Sequence, residues 1–149
     1  MKKLLSLCML VVLFASCGSL DQKSQVGIKG NWTISSVTYP GSDYIKVTSF
    51  DVADSQCFVG SSWNFISNNN KGTMSLTKSG CPSFTSPIVW TSTKDGTFNL
   101  KITEGEKAKR VTQGYILKLQ NQTENSFELV DNVEVGGKNV EVVYNFTRM

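Results

Sequence analysis

The chain has 149 residues, 15 of them basic, 12 acidic and none histidine. The lack of imidazole excludes histidine-activated serine and cysteine nucleophiles and removes the commonest transition-metal ligand. The lysines are scattered, with no basic stripe interleaved with aromatics, which argues against nucleic acid as a partner.

Lys2 and Lys3, the apolar run Leu4 to Phe14 and the small pair Ala15-Ser16 have the layout of a secretory signal. The run is shorter than the roughly 18 to 20 apolar residues that span a bilayer. Phe14-Ala15-Ser16-Cys17 resembles a bacterial lipobox, with Phe14 where leucine is usual. That resemblance implies removal of residues 1 to 16 and acylation of Cys17, the alternative being an ordinary signal with an incidental cysteine. A polar tether follows from Gly18 through Gln25, of a composition expected to be disordered. The organisation expected is therefore a signal over 1 to 16, a tether over 17 to 27 and one domain over 28 to 149. Without the first 16 residues the basic count is 13 against 12 acids, and the net charge falls from +3 to +1.

Of four cysteines, Cys8 leaves with the signal and Cys17 carries lipid, which leaves Cys57 and Cys81. An even remainder in an exported chain points to one disulfide, with two separate buried thiols as the alternative.

Nearly every later run alternates as strands do, and none sustains helical spacing. The first spans Ile28 to Tyr39 and a weaker one Tyr44 to Phe50. Trp63 to Ile66, Thr73 to Thr77, Ile88 to Thr93 and Thr97 to Thr103 follow, separated by Asn- and Gly-rich turns and by Lys94-Asp95-Gly96. After the charged loop Glu104 to Arg110 come Gln113 to Gln120, Ser126 to Val135 and Asn139 to Thr147, the last two joined by Gly136-Gly137. Asp-Gly and Gly-Gly between alternating runs are hairpin signals, so consecutive strands pair. With the weaker run Tyr44 to Phe50 set aside, eight runs joined mostly by tight turns fit an all-β, antiparallel up-and-down barrel or a two-sheet sandwich. A closed meander leaves no edge strand, which favours the barrel.

Gly30-Asn31-Trp32 on the first strand of such a meander resembles the Gly-x-Trp signature of lipocalins. Cys57 to Phe65, with the Asn-rich turn and Gly72, is similar to small bacterial lipocalin-like lipoproteins. The resemblance implies that Trp32 plugs the closed end of an eight-stranded barrel, that Arg148 packs across it and that Gly30 gives the backbone room beside the plug. It also implies a monomer anchored by lipid to the cell envelope, at the outer membrane, that binds a small apolar or amphipathic molecule in the barrel mouth, with Trp90 and Tyr115 lining that mouth. The open end is expected beside Tyr39 to Gly60, Lys94 to Gly96 and Asn121 to Asn125, and away from Gly136 to Lys138.

The other aromatics, Trp63, Phe65, Phe98, Phe127, Tyr144 and Phe146, read as core. No Gly-x-Ser-x-Gly elbow or phosphate-cradling Gly-Lys-Ser/Thr loop is present. Glu104 and Glu106 fall in a charged loop, and Glu128, Glu134 and Glu141 on outward parity, so a carboxylate enzyme is disfavoured. No cofactor and no metal is expected. The alternative to ligand binding is a non-enzymatic envelope protein with a filled core that acts through its surface.

Overall fold

The computed structural model describes residues 22–42 and 45–149. The expected signal, Cys17 and Tyr44 at the start of the weak run lie outside the described residues. Eight strands close into an antiparallel barrel: β1 (Gly30–Thr38), β4 (Ser62–Ile66), β5 (Lys71–Leu76), β6 (Phe84–Ser92), β7 (Thr97–Ile102), β8 (Tyr115–Gln120), β9 (Ser126–Val135) and β10 (Lys138–Arg148). Each pairs with the next, and β1 pairs with both β4 and β10. That double pairing rules out the sandwich, because the sheet has no free edge.

Alternation decides which side chains enter the barrel. On β10, Val142, Tyr144 and Phe146 join the core, opposite Asp131, Leu129 and Phe127 of β9, while Glu141 and Thr147 are exposed. Each large apolar side chain so buried contributes about 1.5–3 kcal/mol relative to exposure. Between these strands Gly136 and Gly137 have φ of +57° and +79°. A two-residue turn of that hand requires positive φ at both positions, which glycine adopts without strain. At β4–β5, a Cβ on Gly72 would stand 2.1 Å from the Asn64 carbonyl oxygen, so only hydrogen fits there.

Strand direction corrects the expected position of the mouth. β1 runs away from Trp32, so residues 39–42 and 45–61 lie at the far end, together with 77–83, 103–114 and Gly136-Gly137. The turns 67–70, 93–96 and 121–125 lie at the Trp32 end. Lys94 to Gly96 and Asn121 to Asn125 therefore flank the plug, and the glycine pair flanks the mouth, opposite to the expectation. The cause is parity: each strand reverses the chain, and the turn after an odd-numbered barrel strand must lie at the mouth.

Residues expected to belong to the tether also fold. Gln22–Ile28 forms a helix, α1, across the closed end. Ser24 shares a 2.8 Å hydrogen bond with Ser92, the Ser92 amide donates to the Gln25 side chain at 3.2 Å, and Gln122 donates to the Ser24 carbonyl at 3.1 Å. Polar composition hid this because the helix docks through buried hydrogen bonds and one apolar anchor, Ile28. Among the described residues no helix is long and apolar enough to cross a membrane.

Candidate ligand site

The closed end is built around a glycine and a tryptophan two residues apart, Gly30 and Trp32. Gly30 has φ of +119°, and a Cβ there would meet the Arg148 Nη1 at 2.9 Å. Its lack of a side chain lets the guanidinium reach past the strand. Arg148 lies opposite Trp32 in register and its Cζ stands 4.2 Å from the centroid of the indole. The indole N–H donates to the Ile28 carbonyl at 2.6 Å, and the ring meets Phe127 edge-on at 4.7 Å.

Above the plug the barrel is packed with rings. Phe127 stacks on Phe146 at 4.5 Å, Phe146 meets Trp63 at 5.5 Å, Phe65 meets Trp90 at 5.3 Å, and Trp90 stacks on Phe98 at 5.7 Å. This half is solid core.

The mouth is closed by residues 45–61. They contain a short hairpin of β2 (Thr48–Ser49) and β3 (Ala53–Asp54), followed by a 3-10 turn at Ser55–Phe58. Cys57 and Cys81 are bonded, with Cα atoms 5.7 Å apart, which ties this lid to the β5–β6 loop. Lys78 adds a 3.0 Å bond to the Gln56 carbonyl, and Tyr39 is hydrogen-bonded to Ser55. At the hairpin tip Phe50 turns into the barrel. Its ring stacks on Tyr144 at 5.2 Å and meets Tyr115 at 5.1 Å and Phe58 at 5.3 Å edge-on. Ser49 and the Tyr144 hydroxyl share a 2.5 Å hydrogen bond, so the lid is latched to the wall beside the Phe50 ring.

The electrostatics of this end are acidic. Asp131 lies opposite the fully buried Val142 and therefore on the inner face, half-buried, where desolvation raises its carboxyl above the ordinary value. Tyr115 is pushed up to about 12, first by burial and then by Asp51, Asp131 and Glu104. Burial raises Tyr144 as well. Tyr115 donates a long 3.5 Å bond to Asp51, which also accepts from Gln113.

Of the two residues expected to line the mouth, the structure brings only Tyr115 there. Trp90 is 1% exposed and its indole N–H donates to the Lys71 carbonyl at 2.9 Å, at the closed end. Both residues pair with Leu100 in one row across the sheet. Strands in a barrel tilt against its axis, so such a row climbs from one end toward the other. Phe50, Phe58 and Asp131 were not among the expected site residues. Asp131 shares parity with Phe127 and Leu129, and that alternation was the available signal; Phe50 carried none, since a turn between two-residue strands has no period.

Glu134 and Glu141 are exposed and Glu128 accepts from Gln120 and Asn121 at 2.8 Å each, as solvated or locally paired acids would. Among the described residues no group of three or more histidine, cysteine, aspartate or glutamate side chains could hold a metal ion.

A family model described as a lipocalin-like domain matches residues 28–130. The chain belongs to the lipocalin-like domain family. The matched span ends inside β9, so β10, with Tyr144 and Arg148, completes the lipocalin-like barrel beyond it. Among solved structures the domain is similar to a bovine odorant binding protein in complex with a selenium-containing odorant, at 10% identity over 84% of this chain and 72% of that one, with a TM-score of 0.46. It is likewise similar to an odorant-binding protein from bovine nasal mucosa, at 12% identity over 83% and 72%, with a TM-score of 0.45. No curated protein matches the sequence.

Proposed function

We propose that this lipocalin-like domain is a binding module that takes a small apolar or amphipathic molecule at the barrel mouth and performs no catalysis. The observation that carries the reading is the nature of the upper core. Below, rings from the barrel strands fill the interior; above, the filling ring is Phe50, which belongs to a loop. A side chain on a loop can leave without unpairing any barrel strand, and what remains is a concave site walled by Tyr115, Tyr144 and Phe58. The absence of histidine and the dispersal of the glutamates support binding over chemistry.

The same proposal includes export, a lipid on Cys17 and residence at the cell envelope as a monomer, supported by Lys2-Lys3, the apolar run and Phe14-Ala15-Ser16-Cys17. A membrane-tethered domain of this kind samples amphipathic molecules at their source. Metabolic labelling with palmitate tests the anchor: label in the wild type and none in Cys17→Ala is expected, and equal labelling of both defeats it. Titration with a neutral fluorescent apolar probe tests the mouth. Saturable binding that weakens in Tyr115→Ala and persists in Ile116→Ser, on the outer wall, supports it; no saturable binding favours the second reading.

That second reading, an interaction protein with a filled core, draws on the solid lower half of the barrel and on an outer groove of about 400 Å³. Val89, Thr91, Asn99, Lys101 and Ile116 line that groove, and Ile116 is 75% exposed.

A further inference from the structure

We propose that the mouth selects a cationic amphiphile, an apolar ring that replaces the side chain of Phe50 and carries a protonated amine to Asp131. The inference rests on the mouth being the binding site and adds to it the class of ligand and the means of opening.

The hairpin tip gives the first reason. Phe50 and Asp51 both have φ of +53°, and the Val52 amide donates to the Ser49 carbonyl at 3.0 Å, which makes 49–52 a turn of the mirror-image type. Such turns favour Asn-Gly, and a bulky aromatic with positive φ is strained. The inward pose of Phe50 is therefore held by what its ring touches and by the Ser49–Tyr144 latch, against the preference of its own backbone. A flat apolar ligand that supplies the same contacts to Tyr144 and Tyr115 releases that strain when it displaces the ring.

Charge gives the second. Asp131 sits on the inner face one pair above Leu129 and Tyr144, and among the described residues the hydrogen bond acting on its carboxylate comes from the Asn132 main chain. Asp51 from the lid and Glu104 from the β7–β8 loop add to the negative field felt at Tyr115, and Asp131 and Tyr39 act on Tyr144. Among the groups acting on Asp131, Tyr115 and Tyr144, none is basic. Among the described residues no basic group acts on this half-buried carboxylate, and an ammonium placed there would gain both the carboxylate and the faces of the two phenol rings. An anionic ligand, such as a fatty acid, would meet like charge instead.

The test uses three probes with one ring: 2-naphthylethylamine, 2-naphthylethanol and 2-naphthylacetate, titrated at pH 7 into the wild type, Phe50→Gly and Asp131→Asn, with near-ultraviolet circular dichroism as the folding check. In the wild type the amine is expected to bind about tenfold more tightly than the alcohol, and the acetate most weakly. Phe50→Gly removes the internal occupant and suits the turn, so all three probes should tighten by about tenfold with the order kept. Asp131→Asn should erase the preference for amine over alcohol and leave alcohol binding in place. Should Phe50→Gly fail to fold, Phe50→Leu, a smaller occupant, is expected to give the same order with a smaller gain. If the alcohol binds and tightens in the Phe50 variant but the amine gains nothing over it, the mouth remains the site and the cationic class is wrong. An amine preference that survives Asp131→Asn also overturns the proposal. If no probe binds any of the proteins, the reading of the mouth as a binding site fails with it.

Discussion

Arg148 and Trp32 form the joint at which both ends of the domain meet: the guanidinium carbon stands 4.2 Å from the centroid of the indole, and the three guanidinium nitrogens donate to the main-chain carbonyls of Glu124, Lys29 and Gly27 at 2.8, 3.0 and 2.9 Å. The last strand, the helix α1 and the β8–β9 turn are thereby fastened to one plug.

Trp32→Ala is expected to cost about 3–5 kcal/mol, as large aromatic truncations in cores do. Arg148→Ala should cost about 1.5–3 kcal/mol, the scale for charge-assisted hydrogen bonds. Because the groups touch, a double-mutant cycle in urea should return a coupling of at least ~0.5 kcal/mol. Strict additivity would show that the contact carries no energy.

The Cys57–Cys81 bond closes a loop across 24 positions and joins the lid to the β5–β6 loop. Replacing both cysteines by serine should lower stability by about 3 kcal/mol on the chain-entropy account. Non-reducing peptide mapping checks the linkage itself. An unchanged denaturation midpoint in the double variant would mean that the non-covalent contacts of the lid hold it without the disulfide.

Gly72→Ala forces a methyl against the Asn64 carbonyl, which lies in the backbone of the neighbouring strand and has little freedom to move. A cost of about 1–3 kcal/mol is expected, the usual scale of overpacking. Gly80→Ala provides the contrast: with nothing within 4 Å of its Cβ position, it should be limited to the cost of its positive φ, about 1–2 kcal/mol. No measurable cost for Gly72→Ala would contradict the close approach there.

Two titrations follow from the acidic mouth. Tyr115 is raised from 10.0 to about 12, so above pH 10 the unfolded chain loses the proton first, and stability should fall as pH rises from 10 toward 12. Tyr115→Phe should remove part of that fall. Asp131 is raised above 3.8, so the native state holds its proton longer; stability falls as pH rises through the interval above 3.8 and stays reduced once the carboxylate is charged. Asp131→Asn should therefore raise the melting temperature at pH 7 and change it least well below pH 3.8. A loss of stability at pH 7 would mean that the charged form has a favourable partner.

Alternation along β6 to β10 and the glycine turns made the antiparallel meander legible in the sequence, because a strand with one buried face must alternate and a mirror-image turn needs positive φ. The core aromatics were legible for the same reason, as were the family, through Gly30 and Trp32, and the pairing of Cys57 with Cys81, the two cysteines within residues 28–149. Three matters waited for the tertiary structure. The sandwich and the barrel share every local signal, and only the pairing of β1 with both β4 and β10 separates them. The height of a residue along the axis depends on strand tilt, a property of the closed sheet, which is why Tyr115 reaches the mouth and Trp90 does not. The lid has no periodicity to read, since Phe50 is held by rings from β8 and β10 that lie 65 and 94 positions further along the chain. Local sequence fixes what a strand can pair with, whereas what fills the space between strands is settled only when distant segments arrive there together.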